Sequence, residues 1–330
     1  MAFPSFCVLP PEILLIIFHD TCDDDGTTAR SLASVSRTFR WLALPLVYRV
    51  VAVHSLGQVS SLIECFEHEP GCASLVEHIF VADQRLVLDC LAFENVLHTL
   101  WRHVGSTVQT LALHVNSRDE DVSKVFQTVF DASFPRLTDL TLCGEHPIPT
   151  SPLAFPALQR FHSAGLTRRN TASCFAPLTL SCPELSHIRV SMATERNITF
   201  AVAAAFGLPG ARTDTERMCL DPVPLPENER REEAETHIPF PTLPRGLVSM
   251  VVKPAAPPMA LFPGGTSMFY NQYFKQLEDL VLACPPGKVF LLPAFKRALW
   301  DVESYNITEA KRDWVEVIRG RPGAWTRVPA

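Results

Sequence analysis

Ten cysteines, eleven histidines and a run of three aspartates are the residues of this chain best suited to chemistry, and their spacing argues against most of it. The cysteines stand at positions 7, 22, 65, 72, 90, 143, 174, 182, 219 and 284, and no two form a Cys-x-x-Cys pair. No histidine sits at ligand spacing from them, so a structural zinc lacks its donor set. In a reducing compartment such thiols serve as small buried hydrophobes. Asp23-Asp24-Asp25 places its carboxylates consecutively, so they splay apart, whereas cation loops use alternate positions that converge. A solvated turn between helices is the expectation. Gly264-Gly265-Thr266-Ser267 has the composition of a phosphate-cradling turn but lacks the lysine that would reach a β- or γ-phosphate. A Gly-x-Ser-x-Gly elbow, a His-Glu-x-x-His helix and a Gly-x-Gly-x-x-Gly loop are all missing. The chain reads as non-catalytic, with no cofactor and no metal.

Composition points the same way. The 330 residues are 47% hydrophobic and 19% charged, which suits a folded chain long enough for one small and one larger domain. A net charge of -6 without a basic stripe disfavours nucleic acid or an anionic membrane as partner. Met1-Ala2-Phe3-Pro4 lacks the positive start and cleavage site of a signal peptide, and the apolar run Ile13 to Phe18 is far too short to span a bilayer. The expected location is cytoplasmic, nuclear or both.

The first fifty residues are the most informative. Leu9-Pro10-Pro11-Glu12-Ile13-Leu14-Leu15-Ile16-Ile17-Phe18 predicts a proline-started helix with more apolar surface than a lone helix can hide. Cys22 to Gly26 forms a polar turn, after which Thr27 or Thr28 can cap a second helix carrying Leu32, Val35 and Phe39. Pro45 is expected to stop it, within the closing run Pro45-Leu46-Val47-Tyr48-Arg49.

This order of elements, with its Leu-Pro-x-Glu-Ile-Leu opening and Pro-Leu-x-Tyr-Arg close, resembles the F-box, the docking module that joins substrate receptors to the Skp subunit of Skp–cullin–F-box ubiquitin ligases. The resemblance implies that Leu9, Pro10, Ile13, Leu14 and Ile17 contact the Skp subunit, helped by Leu32 and Val35. The family's Val-Cys-Lys/Arg-x-Trp run corresponds to Val35-Ser36-Arg37-Thr38-Phe39, with Phe39 in the place of the tryptophan. Five aliphatic side chains buried in such a contact supply about 8–15 kcal/mol gross, before the costs of association.

From residue 51 onward helical stripes alternate with a short pattern: apolar, two residues, apolar, one residue, apolar. Val59, Leu62, Ile63 and Phe66 predict one helix, ended by Pro70-Gly71. Leu86 to Val104 predicts a second with Gly105 as its C′ residue, and Val122 to Phe130 predicts a third. The short pattern starts at Val76, Val108, Leu137, Leu158, Leu185, Leu247 and Leu277, with a degenerate copy at Thr215-x-x-Met218-x-Leu220. Phe134-Pro135, Phe155-Pro156 and Cys182-Pro183 lead into three of these starts. The pattern resembles the strand segment of leucine-rich repeats, which implies an α/β fold: an irregular solenoid of short parallel strands and helices.

The domain reading is therefore 1–50 as the helical module and 51–330 as a target-binding repeat domain. A mobile acidic and proline-rich insertion is expected at 221–241. Thr308 can cap a last helix bearing Trp314, Val317 and Ile318, expected to close the open end of the repeats. Arg136, Arg160 and Arg189 are expected as solvated strand positions. Together these features imply a non-catalytic substrate receptor that recruits a target protein to the ligase, with partners limited to the Skp subunit and an unknown target. The alternative is a repeat scaffold without a ubiquitin link, whose N-terminal helices only cap the solenoid.

Overall fold

The computed structural model describes residues 9–83, 89–115, 121–146, 155–166, 181–193, 246–258, 268–298, 301–302 and 304–325, with isolated positions between 178 and 208. The 221–241 insertion, the copy at Thr215, Leu86 and the Gly264 to Ser267 turn lie outside the described residues. Two compact units divide the chain: Met1–Leu140 with Asn306–Pro329, and Thr141–Tyr305.

Three helices open the first unit: α1 (Pro11–Thr21), α2 (Thr27–Val35) and α3 (Arg37–Arg49). Pro11 begins α1 where its missing N–H has no role, and Glu12 sits at the positive end of the helix dipole. Capping of α2 falls to Asp24 rather than to a threonine. Its carboxylate accepts from the backbone N–H of Gly26 at 2.9 Å and of Thr28 at 3.0 Å. The stripe Leu32, Val35, Phe39 does not run through one helix. Ser36 takes an extended backbone and its hydroxyl accepts from Phe39 N–H at 3.1 Å, starting α3 afresh. Pro45 does not stop that helix but lies inside it. An interior proline costs about 3 kcal/mol, and burial of Leu42, Ala43 and Leu46 on the same helix offsets it. These three pack with Phe18, Cys22 and Ala29 into a small core, flanked by Leu14, Leu32 and Phe39. The rings of Phe18 and Phe39 lie 5.1 Å apart.

The chain passes from α3 directly into β1 (Val50–Val53), a strand the sequence did not signal. β1 pairs in parallel with β2 (His78–Asp83), and β2 with β3 (Thr110–Val115), in the register Val51↔Ile79↔Leu111. The crossovers are α4 (Leu56–His68) with the short α5 (Pro70–Ala73), then α6 (Cys90–Val104). α7 (Val122–Asp131) follows β3. Gly105 does follow α6, but with φ -56 it is not a left-handed C′ residue. It is small because a Cβ there would meet Ser133 O at 2.8 Å.

β4 (Asp139–His146) begins in the first unit and ends in the second. The second unit then carries β5 (Arg160–Leu166), β6 (His187–Ala193), β7 (Ser249–Pro254) and β8 (Val289–Leu291), parallel in that order. The repeated lead-ins form one turn each time: Leu137, Leu158 and Leu185 donate their N–H to Phe134, Phe155 and Cys182 O at 3.1–3.2 Å. Six of the seven predicted copies lead into strands. The copy at Leu277 is instead part of α8 (Met268–Ala283), where Tyr273, Leu277 and Leu280 form a buried stripe at helical spacing, continued by Cys284 just past its end, while Leu282 is exposed. A two-residue antiparallel pair, β9 (Arg297–Ala298) and β10 (Asp301–Val302), follows β8.

β2, β3 and β7 are buried along nearly their whole length, on both faces of the sheet. In the first unit the second face is covered by α9 (Ile307–Ile318). Asn306, not Thr308, caps this helix, accepting from Glu309 N–H at 3.0 Å. The helix does not close the end of the repeats. Trp314 packs 5.5 Å from Phe80 of β2 and donates its indole N–H to Thr110 of β3 at 3.1 Å.

Candidate functional site

α1 is apolar around most of its circumference, and the first unit uses only one side of it. Leu14 and Phe18 turn into the three-helix core. Ile13, Ile16 and Ile17 recur at i, i+3 and i+4 on a side turned away from that core, and Leu9 stands just before the Pro10 N-cap. Leu9, Ile13, Ile16 and Ile17 are 44%, 42%, 58% and 42% exposed. Pro10 is exposed as well, and its carbonyl accepts from Ile13 and Leu14 N–H at 3.0 and 3.2 Å, fixing the turn that presents Leu9. Scattered surface leucines are ordinary, but three isoleucines aligned on one helix, with Leu9 just ahead of its first turn, form a patch.

Of the seven residues the sequence singled out, Leu9, Pro10, Ile13 and Ile17 belong to this patch. Val35, at the end of α2, is 65% exposed. Leu14 and Leu32 are half-buried against the core and hold the helices together. Phe39 is also a core residue. Sequence reasoning missed Leu15 and Ile16 of α1, both exposed, and the exposed Trp41 and Leu44 of α3. Helical spacing from Ile13 would have found Ile16. No periodicity reveals Trp41, because it breaks the apolar stripe of its own helix.

Charges anchor α1 from behind. Arg49 donates to Cys22 O at 2.9 Å and lies 2.8 Å from His19 Nε2. The triple aspartate lies in the partly exposed turn between α1 and α2, as expected, but two of its carboxylates are paired: Asp25 with Lys311 at 2.6 Å and Asp23 with Arg319 at 3.2 Å. Burial raises the Asp25 carboxyl, but hydrogen bonds from Lys311 and Thr27 outweigh it and hold the pKa at about 2. A cleft of about 440 Å³ between this turn and α9 is lined by these already paired charges.

Two serine–histidine pairs in the second unit have the separation of a nucleophile and its base. His146 Nε2 lies 2.9 Å from Ser163 Oγ, and His162 Nε2 lies 2.9 Å from Ser191 Oγ. All four residues are buried. Ser191 also accepts from Arg189 Nε at 3.0 Å, and Arg189 lies over the ring of Tyr305. Burial, with the charges of Arg189 and His146, keeps His162 neutral. Buried as they are, these pairs have the geometry of a polar ladder joining β4, β5 and β6. Arg189 is accordingly buried rather than solvated, whereas Arg136 is exposed and Arg160 partly so. Its burial follows from its side of β6, which Tyr305 covers. Among the described residues no three His, Cys, Asp or Glu side chains gather as a metal site, and no helix is long and apolar enough to cross a membrane.

No protein-family model matches this chain. No curated protein matches it either.

Proposed function

We propose that this protein is a non-catalytic substrate receptor of a Skp–cullin–F-box ubiquitin ligase, docked to the Skp subunit through the outer stripe of α1. The observation that carries the reading is the exposed set Ile13, Ile16 and Ile17 on a helix whose other side is already packed, with exposed Leu9 just before its N-cap. About half of each of these four side chains is still exposed, so covering them supplies about 3–6 kcal/mol gross, a part of what must offset the costs of association. The F-box-like order of the N-terminal residues supplies the identity of the partner. The leucine-rich-repeat-like remainder would present the target, by loop and helix surfaces rather than by β2, β3 and β7, whose side chains are buried. The ligase then acts by proximity, raising the target's effective concentration near the loaded ubiquitin.

Co-purification of the full chain with the Skp subunit tests the reading. Retention that is lost on Ile13→Ser with Ile17→Ser supports it, and absence of retention by the unaltered chain removes it. One observation favours the scaffold alternative: α3 runs without a loop into β1, and α9 ties the α1–α2 turn to the same unit. That alternative predicts no Skp retention.

A further inference from the structure

α3 carries a second exposed stripe, which docking through α1 does not use. Arg37, Arg40, Trp41 and Leu44 recur at i, i+3, i+4 and i+7 and so lie along one face. Trp41 is 71% exposed and Leu44 40%, while Leu42, Ala43 and Leu46 fill the core from the other face. An indole left in water contributes nothing to folding in proportion to its size. The three-helix core therefore does not explain Trp41.

The charges beside it select its complement. The first turn of α3 contains no acidic residue. Among the described residues neither Arg37 nor Arg40 forms an ion pair, although the chain as a whole carries a net charge of -6. Some other basic side chains of the unit are matched, Lys311 by Asp25, Arg319 by Asp23 and Arg321 by Glu316, whereas Arg37 and Arg40 stand together beside an exposed indole. Arg40 is also held in place, its Nε donating to Ala33 O at 3.2 Å. A fixed guanidinium presents a ready fork to a carboxylate.

We propose that this stripe of α3 is a docking site for an acidic segment of a partner protein, with an apolar side chain set on Trp41 and Leu44 and carboxylates set on Arg37 and Arg40. Tryptophan and arginine are the side chains that concentrate binding energy at protein interfaces. The stripe is two helical turns long, which suits a short peptide segment better than a lipid surface, where a longer basic face is the rule. The inference does not rest on the ligase reading, since it concerns a different helix face and a different partner chemistry.

The probe is a fluorescent sixteen-residue peptide with leucine and phenylalanine at helical spacing and glutamate elsewhere, titrated into the full chain and followed by anisotropy. A second probe has lysine in place of every glutamate. Binding of the acidic probe should weaken at least tenfold in Trp41→Ala and again in Arg37→Glu with Arg40→Glu, and should weaken with added salt. The lysine probe should not bind. Ile13→Ser should leave the acidic probe's affinity unchanged. Thermal unfolding reports whether each variant folds, and these exposed residues should leave it unaltered. Three results would overturn the proposal: no binding of the acidic probe, equal binding of both probes, or loss of binding in Ile13→Ser but not in Trp41→Ala. Binding to phosphatidylserine vesicles without binding of the acidic probe would also overturn it, in favour of a membrane.

Discussion

Lys311 Nζ lies 2.6 Å from the carboxylate of Asp25, so the last helix of the chain holds the turn between its first two. The pair is partly exposed, and pairs of that kind contribute on the order of 1 kcal/mol or less. Its value to the molecule is positional, because the turn sets the direction of α1 and hence of its outer stripe.

Asp25→Asn should lower the melting temperature modestly at neutral pH. The folded carboxyl titrates at about 2, below its ordinary value of 3.8. A depressed carboxyl stabilises the fold above the unfolded pKa and loses that contribution as pH falls through the folded one. The gap between the parent and Asp25→Asn should therefore close between about pH 4 and pH 2. A persistent gap at pH 2 in scanning calorimetry would show that the ion pair is not its source.

His78 gives a second pH window. Burial, with the charge of Arg49, lowers its pKa from 6.5 to about 4. The folded state thus prefers the neutral ring, and the stability this preference protects is lost as pH falls from about 6.5 toward 4. His78→Gln keeps a polar group against Thr110, which the histidine contacts at 3.0 Å, and should remove one proton's share of the slope. Urea unfolding at several pH values measures it.

The two sides of α1 should separate stability from association. Phe18→Ala empties a buried core position and should cost about 3–5 kcal/mol. Leu9→Ala with Pro10→Ala, or Ile13→Ser with Ile17→Ser, alters exposed positions and should shift stability by less than about 1 kcal/mol while abolishing Skp retention. Equal destabilisation by both sets would mean that α1 is covered on both sides.

Gly165→Ala should be among the most damaging small changes. Gly165 has φ +110, and a Cβ there would meet Gly144 O at 2.7 Å, backbone against backbone on neighbouring strands. The strain should cost at least about 2 kcal/mol. Gly71→Ala, where a Cβ meets nothing within 4 Å, is the matched control in denaturant titration.

Much of the fold was legible because local periodicity carried it. The short apolar pattern marked β2 through β7, and the helical stripes marked α4, α6 and α7. It failed at Leu277, since the three-residue step from Leu277 to Leu280 fits a helical face as well as the strand pattern, and the burial of Tyr273 with the exposure of Leu282 selects the helix. The exposed stripe of α1 was half legible: its residues could be named, but an apolar helix does not reveal which side its own core will take.

By itself the sequence determined where the first helix starts, which strands recur and which stretch at the N-terminus has surplus apolar surface, but not the break at Ser36 or the strand Val50–Val53. Tertiary structure alone decided which surface stays bare. Phe18 and Ile17 are neighbours of equal hydrophobicity in the chain, yet one is enclosed and the other open, because burial depends on what packs across from a side chain rather than on the side chain. The same holds for Arg189, enclosed under Tyr305, and for Trp314, which reaches Thr110 across 204 residues of chain. Long-range partners are set by the assembly of the whole unit, which no local spacing encodes.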